Sequence, residues 1–294
     1  MNYSIKNEFY TLTVSDFGAE MISLKSPTGY EYIWQNPTGE FWKDHSPLLF
    51  PVCGRLTNET YTYKGKSYNM KIHGFAMKSV FELVEKTDTK LVFSLEESEE
   101  SLKKYPFKFK FVATYELVGE KLIFSVDVTN TNDEIMPYMF GWHPGFNLPT
   151  DRGQKINDYK VVFDGLDELE WFSCVIPFEG GAPSKKRALD NHAYNIVAEE
   201  IYGQDTMIFQ NHNNQCSLYA EGYPYFLDMK WTENIPTLCI WKQDDDRAKF
   251  LCIEPWASQP KEDATAENFD IRPMPRLEAG KTDHYSYTVV IREK

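Results

Sequence analysis

Between Phe107 and Asn130 the chain alternates large apolar and polar residues with scarcely a break. Phe107, Phe109, Phe111, Ala113, Tyr115 and Leu117 fall on one face of an extended segment. After Gly119-Glu120 the alternation resumes at Leu122, Phe124, Val126 and Val128. A period of two puts successive side chains on opposite faces of a strand, and the glycine marks a reversal, so residues 107–130 are expected to form an antiparallel hairpin with one buried face. A half-buried hairpin needs a second layer to cover it.

The rest of the chain offers that layer in the same currency. Strand patterns recur near 3–14, 80–84, 90–95, 160–164, 216–220, 225–231, 237–242, 249–254 and 284–292, and a second hairpin reads at Tyr61–Tyr68 with Lys64-Gly65 at its tip. Helical periodicity is confined to the short acidic stretch Glu96–Lys104. Neither an internal repeat nor a linker interrupts the pattern. The expected fold is therefore all-β, antiparallel sheets packed face to face as one sandwich domain over residues 1–294, with the last strand docked into a sheet.

Aromatic residues make up 15% of the chain, which suits strand packing, and the net charge of −13 works against nucleic acid or an anionic membrane as partner. Cys53, Cys174, Cys216, Cys239 and Cys252 are odd in number and scattered. They suggest reduced, buried thiols rather than a disulfide framework or a zinc knuckle. No secretory leader pattern opens the sequence and no apolar stretch reaches membrane-span length, so a cytoplasmic location is expected.

Three segments could carry chemistry. His73 lies in Lys71-Ile-His73-Gly-Phe75, His143 in Gly141-Trp-His143-Pro-Gly-Phe146, and Glu254 in Cys252-Ile-Glu254-Pro-Trp256. Histidine exchanges protons near neutrality, and a carboxylate on the apolar face of a strand must find partners. Each alone has a structural explanation, such as a hydrogen-bonded turn histidine or a strand-end glutamate paired with Arg55. Pro255 is expected to stop the ladder, and Trp256 to offer a flat surface of the kind that stacks on sugar rings. Arg55 could donate paired hydrogen bonds to hydroxyls or phosphate, and Asp205 could bind vicinal hydroxyls. The run Asp244-Asp245-Asp246-Arg247 reads as a solvated turn. Nucleophile-elbow, phosphate-loop and dinucleotide motifs are absent, and His73, His143 and Glu254 lack the spacing of a zinc protease.

In order along the chain, Gly54-Arg55 followed by Asn58, Ile72-His73-Gly74, His143-Pro-Gly-Phe-Asn-Leu148, Asp205 before an apolar pair, and Cys252-Ile-Glu254-Pro-Trp256 resemble the aldose 1-epimerase (galactose mutarotase) family, and its LacX-type branch in particular. The resemblance implies a β-supersandwich and cofactor-free, metal-free interconversion of the α and β anomers of a sugar. It casts Glu254 as the base at the C1 hydroxyl, His143 as the acid at the ring oxygen and His73 as a supporting donor. Arg55, Asp205, Asn58 and Trp256 become the sugar-binding set. Its partner is then a free or phosphorylated hexose, handled by a monomer or homodimer. Galactose mutarotases tend to carry an Asn-Arg pair after Gly-Arg and a second glycine after His-Gly, where this chain has Asn58-Glu59 and Gly74-Phe75. Those differences bear on which sugar is used. A hexose-6-phosphate 1-epimerase, a sugar-binding protein without turnover, and a metal-dependent hydrolase using His73, His143 and Glu254 are the rival readings.

Overall fold

A computed structural model describes residues 1–149, 151, 153–174, 184–201, 206–209, 212–223, 225–258 and 267–293. The central hairpin forms as Phe109–Val118 and Lys121–Asn130, paired from Lys121 opposite Val118 to Asn130 opposite Phe109. Its apolar face is buried along its whole length, while the intervening residues are half-buried or exposed. Phe124 stacks on Tyr115 with ring centres 4.0 Å apart, a cross-strand aromatic pair that fixes the register.

Among the described residues this hairpin lies within a nine-stranded sheet. The order runs Ala193–Asn195, Tyr159–Val162, Gln215–Ala220, Tyr225–Trp231, Thr282–Glu293, Lys121–Asn130, Phe109–Val118, Lys90–Glu96 and Glu82–Lys86. The C-terminal strand docks between two others, as its alternation implies. A second sheet runs Lys185–Ala188, Glu168–Cys174, Thr206–Phe209, Thr237–Trp241, Phe250–Trp256, Gly141–Trp142 and Leu48–Leu49. Gly145–Asn147 also pairs with Phe250–Trp256. The two sheets meet through aromatic rings. Trp142 of the second packs on Phe124 and Tyr287 of the first, at 5.6 Å each. The molecule is thus a β-supersandwich, with antiparallel pairing in both large sheets.

The expected strand at 3–14 is two strands, Asn2–Lys6 and Thr11–Ser15. Asn7 breaks it, because its side-chain oxygen accepts from the Phe9 and Tyr10 amides and turns the backbone. The expected helix is Glu99–Lys104, started by Ser98, whose hydroxyl accepts from the Ser101 amide, and a second short helix, Ala198–Ile201, lies outside the acidic stretch where helix is expected. Pro255 does not end its ladder. The strand runs on to Trp256, with Pro255 opposite Leu238 and Trp256 opposite Thr237, since proline removes one donor and leaves its neighbours free to pair. Cys53, Cys216 and Cys252 carry free, buried thiols, and Cys239 is buried as well. Among the described residues no helix is long and apolar enough to cross a membrane.

Candidate functional site

Phe250–Trp256 is covered on both faces, and all seven of its residues are buried. Leu251 and Ile253 enter the main core while Phe250 and Cys252 join a small separate cluster; period two puts Glu254 and Trp256 on the side of Phe250 and Cys252, with the Trp256 ring reaching the main core. On that side the neighbouring strand places Cys239 opposite Glu254 and Trp241 opposite Cys252.

The other neighbour is interrupted. Gly141 faces Trp256 and Gly145 faces Cys252, in one continuous register, so His143 falls opposite Glu254 although no ladder forms there. Pro144 has no amide to give the ladder, and its carbonyl accepts from the Ile253 amide at 3.4 Å. The result is a directly opposed acid–base pair, with His143 Nε2 3.3 Å from Glu254 Oε2. Both residues are more than nine-tenths buried.

Small residues make room for this pair. A Cβ on Gly141 would lie 2.4 Å from the Trp256 ring, and one on Gly145 would lie 2.7 Å from Trp42. Trp42 packs its ring against the His143 imidazole, with centres 5.0 Å apart, and Trp241 meets the same imidazole edge-on at 5.7 Å. Trp42 is itself held by Gln243, whose side-chain oxygen accepts from the Trp42 amide, and by its carbonyl, which accepts from Trp34 Nε1.

His73 arrives from a different direction. Its amide donates to the Gly54 carbonyl at 3.0 Å, and its Nδ1 accepts from the Gly54 amide at 3.2 Å. That acceptor role places the proton of the neutral ring on Nε2. His73 and Gly74 both take left-handed backbone, and a Cβ on Gly74 would lie 2.3 Å from the Phe50 carbonyl oxygen, so only glycine fits after this histidine. The two imidazoles meet edge to face, 5.3 Å apart.

Trp42, Asp44, Arg55, His73, Lys78, His143, Thr206, Trp241, Glu254 and Trp256 share one cavity of about 460 Å³, to which Gly54, Lys71, Ile72, Gly74 and Met77 also contribute. That volume suits a small polar molecule of sugar size. Burial pushes His143 down to about 4, opposed by a hydrogen bond to its own backbone and by Asp44. Burial, reinforced by His143, Arg55 and Lys78, holds His73 well below the ordinary histidine value, so His73 is a neutral Nε2–H donor.

Five of the residues singled out from sequence, His73, His143, Glu254, Arg55 and Trp256, therefore line one cavity. Trp256 is buried against Gly141 and Gly54 and presents little surface, and the more accessible indoles are Trp42 and Trp241. Asn58 is not brought in. It sits exposed in the turn Thr57–Glu59, with the left-handed backbone that asparagine tolerates. Asp205 lies outside the described residues, next to Thr206 in the lining. For a metal, the donors that converge among the described residues are His143, Glu254 and Cys252, rather than the two histidines with Glu254.

Sequence reading missed Trp42, Trp241, Asp44 and Thr206. Trp241 was within reach, since antiparallel pairing of 237–242 with 249–254 puts alternate residues of both on one face. Trp42 and Asp44 come from a segment without periodicity, and only the tertiary fold brings them over the pair.

Comparison with known proteins agrees with this architecture. The profile of the family described as aldose 1-epimerase matches residues 1–291. The chromosomal protein LacX of Lactococcus lactis is 28% identical over 275 residues, covering 87% of this chain and 88% of that protein. A galactose mutarotase related enzyme from Lactobacillus acidophilus superposes with a TM-score of 0.89 at 30% identity, with both chains covered in full. A galactose mutarotase-like protein from Lactobacillus casei gives 0.91 at 25% identity, over 99% of this chain and 100% of that one. Matched along nearly its whole length in sequence and in fold, the chain belongs to the aldose 1-epimerase family.

Proposed function

We propose that this protein is an aldose 1-epimerase that interconverts the α and β anomers of a hexose by acid–base ring opening and closure. The observation that carries this reading is the direct opposition of His143 and Glu254 at 3.3 Å on the floor of a sugar-sized cavity.

Ring opening moves one proton from the C1 hydroxyl to the ring oxygen. Glu254 as carboxylate takes the hydroxyl proton while His143 as imidazolium gives one to the ring oxygen. The C1–O bond of the ring breaks, and the O–H electrons become the aldehyde carbonyl. Glu254 is left protonated and His143 neutral. Rotation about C1–C2 turns the other carbonyl face to the hydroxyl, and closure runs the two transfers backwards. The pair works with one proton passed between the sugar and two groups. Burial makes the imidazolium a strong acid, and its own backbone and Asp44 favour its formation. His73, neutral with its proton on Nε2, donates to a sugar oxygen, and Trp42 and Trp241 wall the ring.

A specific observation favours a second reading, in which the hexose carries a phosphate. Arg55, Lys71 and Lys78 all reach the same cavity, although Lys71 pairs with Glu59 at 2.6 Å and Lys78 with Asp44 at 3.0 Å. Anomer exchange on glucose, galactose and their 6-phosphates, followed by NMR, tests both. Catalysed exchange supports the epimerase. A kcat/KM preference for the phosphates that Lys78→Met removes supports the second reading. Saturable sugar binding with no acceleration for any of the four would instead make the protein a carbohydrate binder.

A further inference from the structure

We propose that His143 and Glu254, together with Cys252, form a binding site for a thiophilic divalent cation such as Zn²⁺, and that the ion reversibly blocks the cavity. The blocking half of this inference rests on the proposed epimerase reading, whereas the binding half stands on the donor geometry alone.

Cys252 and Glu254 are two residues apart on one strand and so project to the same side, and His143 lies across from Glu254. One donor atom from each of the three lies within 4.8 Å of the others, and all three residues are buried. A tetrahedral zinc ion, with bonds of about 2.0–2.3 Å to nitrogen, oxygen and sulfur, spaces its ligands roughly 3.3–3.8 Å apart. The His143–Glu254 pair is already at 3.3 Å. Sulfur and nitrogen or oxygen sit about 3.5 Å apart across such an ion, so the thiol must close by up to about 1.3 Å, within the reach of a χ1 adjustment.

The donor set selects the ion. A thiolate, an imidazole and one carboxylate suit zinc or cadmium, whereas magnesium and calcium require several hard oxygens. Coordination releases the thiol proton to solvent, and the open side of the ion faces the cavity, where water completes the shell. The ion would occupy both proton-transfer groups at once. Cys252 has no part in the proton transfers. It packs in a small apolar cluster with Trp34, Phe41 and Phe250, against Trp42 and Trp241, and lies outside the cavity lining.

The experiment is a titration of the purified protein with Co²⁺, read by its thiolate-to-cobalt charge-transfer absorption, with Zn²⁺ binding measured in parallel by calorimetry. The expected result is one charge-transfer site per chain that Zn²⁺ displaces. Cys252→Ala is expected to lose the band and to bind Zn²⁺ at least tenfold more weakly. In anomer exchange, Zn²⁺ should inhibit the wild type, EDTA should restore it, and Cys252→Ala should keep its basal rate while tolerating at least tenfold more Zn²⁺. Cys252→Ser, which keeps the size but not the soft donor, serves if the alanine variant does not fold. Absence of the cobalt band, or Zn²⁺ binding unchanged by both substitutions, overturns the site. Binding that leaves a measurable exchange rate untouched overturns the blocking. If the wild type catalyses no exchange at all, the cobalt spectrum still decides whether the site exists.

Discussion

The strands Lys121–Asn130 and Phe250–Trp256 obey the same ladder geometry and are paired on both edges, yet they do different things. In the first, Leu122, Phe124, Val126 and Val128 enter the core and the residues between them face outward, half-buried or exposed. In the second, every residue is buried and one of them is a carboxylate. A strand with one open face disposes of polarity without cost. A strand covered on both faces tolerates a charge only where partners await it, and a carboxylate there is retained against the interests of packing. Fold and chemistry are therefore separable along this chain, and mutations should separate them.

The largest effect is expected at the covered strand. Glu254→Gln and His143→Asn should each lower catalysed anomer exchange by about 10²–10⁴-fold, the usual worth of a general acid or base. The urea midpoint of Glu254→Gln should stay close to wild type, because glutamine keeps the volume of the glutamate. Leu122→Ala, in the open strand, should do the reverse. Truncating a fully buried leucine costs about 2–5 kcal/mol, read by urea unfolding, while exchange per folded molecule is unchanged.

A third effect belongs to pH. His143 is held at about 4 in the folded protein, against an unfolded value of about 6.5. Between those values the unfolded chain binds more protons, so stability rises with pH. It is complete above about 6.5 and is lost as the pH falls toward 4, by up to about 3 kcal/mol. His212, also pushed down to about 4 by burial, adds in the same sense. Urea midpoints at pH 7 and pH 4.5 should show the loss, and His143→Asn should flatten it. A slope equal to that of wild type in the variant would contradict the buried, neutral assignment. The smallest effect is at His73. His73→Asn tolerates the left-handed backbone but cannot reach as far, and should lower kcat/KM about tenfold, the worth of one hydrogen bond to substrate, about 1.4 kcal/mol.

The same contrast explains what the sequence revealed. Alternation made the 107–130 hairpin, the C-terminal strand and 225–231 legible almost to the residue, because a half-buried strand writes its environment into its period. The split at Asn7 was hidden, since it depends on a side chain bonding its own backbone two and three residues on. Continuation through Pro255 was hidden as well, because it depends on neighbouring strands holding the register. At the site, the three proton-transfer candidates stood out as polar residues in apolar settings. Their resemblance to an ordered family pattern supplied roles that spacing alone did not. Trp42 and Asp44 left no local trace, because what places them over His143 is the packing of one aperiodic segment, fixed by hydrogen bonds to Gln243 and Trp34.

In the proposed mechanism His143 and Glu254 act as one proton-transferring unit because the register sets them face to face. Exchange NMR on wild type, Glu254→Gln, His143→Asn and the double variant, all at saturating sugar, tests it most directly. Residues that act as a unit lose their function together. Both single variants and the double variant are expected to fall to a common residual rate. A double variant slower by the product of the two single losses, or wild-type exchange in either single variant, would contradict it.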